Sequence, residues 1–222
     1  MDEQMKIMWD CGASGDTTLL VSQMNKGLDI NYQNGEGRTI LMRAAKRDYK
    51  DIVRILLDAG ADVNIRDNNG KTALMGAAKK GNKTIVKKLM EAGAEINTQD
   101  NKGRTALMRA AFLGHDRVVQ ELLKGDLMVD TKDEKGRTAL MEACLAYKQD
   151  VIDLLLIAKA NVNLADNNGC TALMRAAYGG YQGLVEKLLD YGADKDAEDE
   201  DGHRAIDYVR ENCKAELDPL LK

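Results

Sequence analysis

Five nearly identical phrases decide how this chain folds: Gly37-Arg38-Thr39-Ile40-Leu41-Met42-Arg43-Ala44-Ala45, Gly70-Lys71-Thr72-Ala73-Leu74-Met75-Gly76-Ala77-Ala78, Gly103-Arg104-Thr105-Ala106-Leu107-Met108-Arg109-Ala110-Ala111, Gly136-Arg137-Thr138-Ala139-Leu140-Met141-Glu142-Ala143-Cys144 and Gly169-Cys170-Thr171-Ala172-Leu173-Met174-Arg175-Ala176-Ala177. Their glycines stand 33 residues apart with no insertion, and a sixth, degraded copy begins at Gly202. Self-similarity at a fixed period marks one supersecondary unit used repeatedly.

Working outward from the phrase, each copy has the same grammar. Ahead of it lies a turn such as Asp67-Asn68-Asn69-Gly70, whose residues tolerate positive φ. The threonine that follows is an N-cap residue opening a short helix rich in Ala, Leu and Met. Its paired alanines leave room for a neighbouring helix to approach closely. A second helix carries an apolar stripe at i, i+1, i+4, i+5, as in Ile52-Val53…Leu56-Leu57 and Val151-Ile152…Leu155-Leu156. It is expected to end in left-handed caps at Gly60, Gly93 and Gly192. A helix pair of this size cannot bury both faces alone, so the copies must stack, and the reading is an all-α repeat solenoid with β-turn or hairpin tips.

Together the period, the Gly-x-Thr turn and the Gly-Ala-Asp-Val-Asn tail at 60–64 resemble the ankyrin repeat. The resemblance implies stacked helix-turn-helix repeats in a single domain over 1–222: an N-terminal capping repeat at 1–33, full repeats at 34–66, 67–99, 100–132, 133–165 and 166–198, and a C-terminal capping repeat at 199–222. Departures are specific. The family's proline is Ile40 or alanine, and its histidine is Met42, Met75, Met108, Met141 or Met174, so apolar packing should replace the Thr-to-His hydrogen bond. The third repeat breaks the tail at 124–130, where a distortion is expected, and the fourth has Lys159 at the glycine position. The first helix should run over about 2–13, with Met8 and Trp9 in the Leu-Met places. In the last copy Asp207, Arg210, Glu211 and Lys214 give the polar outer face that a terminal cap requires.

Composition narrows the function. At 44% apolar and 31% charged, the 222 residues suit a folded domain rather than a disordered one, and no run approaches the ~18 apolar residues of a membrane helix. The acidic opening Met1-Asp2-Glu3-Gln4 lacks the pattern of a secretory leader, so a cytoplasmic monomer is expected. Cys11, Cys144, Cys170 and Cys213 show neither disulfide nor zinc spacing; Cys11 and Cys144 take alanine positions and should be buried. The chain has two serines, Ser14 and Ser22, and two histidines, His115 and His203. Several repeats separate them, on the order of 30 Å, so no Ser/His/Asp triad assembles. His115 is expected to be structural in an inter-helix turn. Cys170 and His203 share a tip position in adjacent copies, near Asp166, Glu200 and Asp201. Tips about 10 Å apart exceed the ~3 Å of a nucleophile pair, so two exposed loop residues are expected there. No phosphate-loop pattern is present. Neither metal, cofactor nor catalysis is expected.

By position, the resemblance assigns partner binding to the turn tips and the exposed first-helix residues, which line a concave face: Arg38, Arg43, Lys46, Arg47, Asn69, Lys71, Lys79, Lys80, Arg104, Arg109, Phe112, Leu113, Arg137, Leu145, Arg175 and Tyr178. Formal charge is graded along the chain. It is −3 for 1–33, then +2, +3, +1, −1 and −3 over the five repeats and −3 for 199–222, giving −4 in all. A basic stretch in the first three repeats adjoins Phe112, Leu113, Leu145 and Tyr178. Apolar anchors beside a charged rim are the composition of a protein interface, so a protein partner with acidic and apolar surface is expected. Binding of nucleic acid or another polyanion to the basic repeats is the alternative; a pI near 5.4 and the lack of aromatics among the lysines weigh against it.

Overall fold

Period and capping produce the expected succession of short helix pairs. The computed structural model describes residues 3–27 and 29–222, and the side chain of Met8 lies outside the described set. The helices are α1 (Glu3–Ser14), α2 (Thr17–Met24), α3 (Ile40–Arg47), α4 (Lys50–Asp58), α5 (Ala73–Lys80), α6 (Lys83–Glu91), α7 (Ala106–Leu113), α8 (Asp116–Leu122), α9 (Ala139–Leu145), α10 (Gln149–Ile157), α11 (Ala172–Gly179), α12 (Gln182–Asp190) and α13 (Lys214–Leu221). Two 3-10 turns, Ala205–Tyr208 and Glu211–Cys213, precede α13. The architecture is an all-helical repeat solenoid. Its one β-bridge among the described residues joins Ala165 to Thr171 at a turn tip.

The chain forms two compact units. The first runs to Ala106 and includes Gln120–Leu127; the second comprises Leu107–Val119 and Met128–Lys222. In the first, α3 packs on α5. Ala44, Ala45, Ala77 and Ala78 are fully buried, the close approach that the paired alanines allow. In the second, α9 packs on α11 and α11 on the first 3-10 turn, with Ala143, Cys144, Ala176 and Ala177 fully buried. The first three positions of each second-helix stripe are buried too, while at the fourth Leu57, Met90, Leu123 and Leu189 are half-buried. Leu56 and Leu89 in one unit, and Leu155 and Leu188 in the other, have no exposed surface, and each contributes about 1.5–3 kcal/mol through burial.

Threonine caps the first helices as expected. The Oγ1 of Thr39, Thr72, Thr138 and Thr171 accepts the N–H of Met42, Met75, Met141 and Met174 at 3.3–3.4 Å. The methionines are buried, and Met174 also returns a bond, its Sδ accepting the N–H of Thr171 at 3.3 Å. Methionine thus fills the core and supplies a soft acceptor in the place of the family's histidine.

After each second helix the chain turns through the left-handed region. Gly60, Gly93 and Gly192 do so at φ 81°, 85° and 83°. The fourth copy forces Lys159 to φ 61° instead. The third copy takes another route: α8 ends at Leu122, seven residues long where its counterparts have nine. Gly125 has no positive φ and lies against Ile96, leaving no room for a Cβ. This is the distortion expected at 124–130.

The first helix of the chain runs from Glu3 to Ser14, one residue past the expected end; the expected start, Asp2, lies outside the described residues. Trp9 is half-buried beneath the guanidinium of Arg43, 4.7 Å from its ring centroid. At the other end the sixth copy does not form an α-helix after its turn but a single 3-10 turn, because it lacks the Ala-Leu-Met-x-Ala-Ala run.

Candidate protein-binding face

Every tip is built on one aspartate or asparagine. Asp67 Oδ1 accepts the N–H groups of Asn69 (2.8 Å) and Lys71 (2.9 Å). Asp133 does the same with Lys135 (2.9 Å) and Arg137 (3.0 Å), and Asp199 with Asp201 and His203, both 2.9 Å. Successive tips are stitched within each unit. Asn68 N–H donates to Glu36 O at 3.0 Å and Asn101 N–H to Asn69 O at 2.9 Å; in the second unit Asn167 N–H donates to Lys135 O at 2.9 Å and Glu200 N–H to Asn168 O at 3.0 Å. Asparagines of the tails add a second seam: Asn64 Oδ1 accepts from Glu95 N–H (2.9 Å) and Asn163 Oδ1 from Asp194 N–H (2.8 Å). With both backbone and side chains tied, side chains at the tips project from a rigid frame.

In the first unit, Lys46, Arg47, Lys79, Lys80 and Asn69 are exposed, while Lys71 and Arg104 are half-buried. Arg38 pairs with Glu36 at 2.5 Å and stands 3.7 Å from Asp67. Arg43 is held on Trp9, and burial, followed by the like charge of Arg47, pulls its pKa below the usual guanidinium value.

In the second unit, Phe112, Leu145 and Tyr178 occupy the same register, 33 residues apart, and are 40%, 42% and 53% exposed. In the first two repeats that register holds Lys46 and Lys79. Leu113 is also exposed, and Arg109 is half-buried.

Arg137 and Arg175 differ from the sequence expectation, since both are half-buried and committed to ion pairs. Arg137 contacts Asp133 Oδ2 at 2.7 Å and Glu142 Oε1 at 2.8 Å; the two carboxylates are each 2% exposed. Burial alone would raise the Asp133 carboxyl, but the Arg137 guanidinium and the turn N–H groups outweigh it and hold it below the usual carboxylate range. Arg175 pairs with Asp166. Nine residues separate Asp166 from Arg175, and nine separate Asp199 from Tyr208, which donates to Asp199. In these three tips the aspartate takes a partner from four or nine residues on, whereas Asp67 has Arg38 of the preceding tip at 3.7 Å. That regularity is visible in the sequence, but which partner is used depends on whether position four carries an arginine.

Cys170 and His203 do not form a site. Contrary to expectation, Cys170 is half-buried: its Sγ lies 3.5 Å from Tyr208 Oη. The single proton of Tyr208 is given to Asp199, so the oxygen accepts from the thiol. The bond that Tyr208 donates to Asp199 lowers the Asp199 pKa and raises that of Tyr208. His203 instead has Nδ1 3.7 Å from Asp199 Oδ1 and its ring edge-on to Tyr208. Among the described residues no group of three or more His, Cys, Asp or Glu could hold a metal ion, and no helix is long and apolar enough to cross a membrane. Cys11 and Cys144 are buried; desolvation pushes the Cys144 thiol up to about 12, which keeps it neutral. His115 serves the inter-helix turn, its N–H donating to Ala110 O at 3.0 Å. Tyr208, which the sequence reading did not single out, closes a cleft of about 250 Å³ with Leu145, Cys170, Met174, Arg175 and Tyr178.

Comparison with known proteins agrees with this geometry. A family profile described as "Ankyrin repeats (3 copies)" matches residues 7–100 and 107–199, and the chain belongs to the ankyrin-repeat family. Ankyrin repeats are generally protein–protein interaction modules and are typically non-enzymatic. The ankyrin repeat domain of Bcl-3, described as a unique member of the IkappaB protein family, superposes with a TM-score of 0.85 at 25% identity, covering 97% of each chain. A 54-residue stretch is 43% identical to Cortactin-binding protein 2 of Saimiri boliviensis boliviensis, covering 24% of this chain and spanning 3% of that relative's length.

Proposed function

We propose that this chain is a non-catalytic interaction module, a cytoplasmic monomer built as one ankyrin domain. It binds a protein partner through the face made by its turn tips and first helices. The observation that carries this is the register Lys46, Lys79, Phe112, Leu145, Tyr178. Around it the Leu, Met and Ala of each phrase are buried, while this position varies and faces solvent. Large apolar side chains held in the open by a rigid frame are interface anchors, and their exposure is otherwise unfavourable. Exposed Lys46, Arg47, Lys79 and Lys80 favour a partner whose surface is acidic as well as apolar.

Replacing Phe112, Leu113 and Tyr178 together by serine should abolish partner capture from native lysate while leaving helix content unchanged. Capture that persists sinks the assignment of the face; a collapse of the helical signal would show that the three side chains are core.

The four exposed cations also suit a polyanion. That reading requires affinity that falls steeply with salt and ignores sequence, whereas a protein partner is retained at moderate salt.

A further inference from the structure

The cleft beside Tyr178 carries more than a generic contact surface. Its volume of about 250 Å³ is below the roughly 300–1,000 Å³ of small-molecule and cofactor sites, which suits a single large side chain of a protein segment. The wall is apolar or neutralised. Leu145, Met174, Tyr178 and Tyr208 supply carbon surface, and the guanidinium of Arg175 is already paired with Asp166. An acidic group entering there would find its cation taken.

Electrostatics around the cleft select the opposite sign. The second unit holds 14 lysines and arginines against 20 aspartates and glutamates, a net −6, while the first holds 18 against 16, a net +2. On the second unit's tips Glu134, Glu200 and Asp201 are all exposed. The free chain also shows what the ring beside the cleft accepts, because the guanidinium of Arg210 sits over Tyr178, 4.6 Å from its centroid. Arg210 belongs to the C-terminal segment of short 3-10 turns, a stretch with few backbone bonds to lose.

We propose that this cleft receives a basic and apolar segment of a partner protein, one leucine-like or aromatic side chain entering beside Leu145 and Tyr208 while an arginine takes the face of Tyr178 that Arg210 occupies in the free chain. The inference rests on the reading of the chain as a protein-binding module. It adds the chemistry of the segment and an internal competitor for it. A guanidinium, planar and weakly hydrated, stacks on an aromatic face better than an ammonium does, so arginine is preferred to lysine.

The test is an amide chemical-shift titration of the full chain with the blocked peptide Gly-Ser-Leu-Arg-Leu-Ser-Gly and twins carrying Lys or Glu for Arg, or Ser for both Leu. The arginine peptide should move the amides of Leu145, Tyr178 and Tyr208, the lysine twin less, and the other two not at all. Arg210→Ala should tighten binding roughly two- to five-fold, the factor expected from removing one exposed cation–π competitor, and Tyr178→Ala should abolish it with the first unit's spectrum unchanged. The proposal is overturned if the glutamate twin binds as well, if the shifts map elsewhere, if Arg210→Ala leaves affinity equal or weaker, or if no peptide binds. In that last case capture that still depends on Phe112 and Leu113 leaves the interaction-module reading standing; loss of both removes it as well.

Discussion

Replacing Arg137 with alanine isolates the most buried charge arrangement at the tips. The guanidinium is 22% exposed and bridges two carboxylates that are each 2% exposed. Asp133 would keep the turn N–H groups of Lys135 and Arg137, while Glu142 would lose its 2.8 Å ion pair with Arg137. A hydrogen bond to a charged group contributes about 1.5–3 kcal/mol, and losing the two ion pairs that the partly exposed Arg137 makes should cost about 3 kcal/mol. With a urea slope near 3 kcal/mol per molar the midpoint should fall by about 1 M. The pH dependence has a definite sign. The folded pKa of Asp133 is depressed, so its stabilisation is complete above the unfolded value of about 3.9 and is lost as pH falls through the folded value. In Arg137→Ala the part of that depression that the guanidinium supplies is gone. The gap between the two proteins is therefore full at neutrality and narrows only as pH falls below about 4. Urea titrations by circular dichroism at neutral and acid pH decide it. A loss under about 1 kcal/mol, or a gap that does not narrow in acid, would refute the reasoning.

Lys159→Gly should stabilise by about 0.5–1 kcal/mol, since a left-handed non-glycine residue costs about 1–2 kcal/mol and glycine returns part of this through the unfolded chain; a lower melting temperature contradicts it. Leu155→Ala, at a fully buried position, should cost about 2–5 kcal/mol in chemical denaturation, and a loss under 1 kcal/mol would place the core elsewhere. Repeats three and four, with the shortened α8 and the strained Lys159, should exchange amide hydrogens faster than repeats one and two; equal protection would contradict that. Cys144 should react with a soluble thiol reagent only on unfolding, because burial holds it neutral; labelling in the folded protein would contradict it.

Sequence alone determined the repeating architecture. A period of 33 residues, threonine caps and a stripe at helical spacing are local facts, and local propensity, capping and burial all pointed one way. The same holds for Gly60, Gly93 and Gly192, whose left-handed turns follow from helix ends, and for the disturbance at 124–130, where the tail motif fails. The solvent-facing register from Lys46 to Tyr178 was legible because it varies beside fixed neighbours. Only the tertiary structure decided which charged side chains remain available. Arg38 and Arg137 share one register and Arg43 and Arg175 another; Arg137 and Arg175 are drawn into the frame by Asp133, Glu142 and Asp166, whereas Arg38 pairs at the surface with Glu36 and Arg43 is held on Trp9. Tyr208 follows the same rule. It closes the cleft because the last repeat winds as a 3-10 turn that delivers its hydroxyl to Asp199. Periodicity is written residue by residue, whereas the choice of an ion-pair partner depends on distances that only packing sets, and a change of a few ångströms moves a charge from solvent into the core.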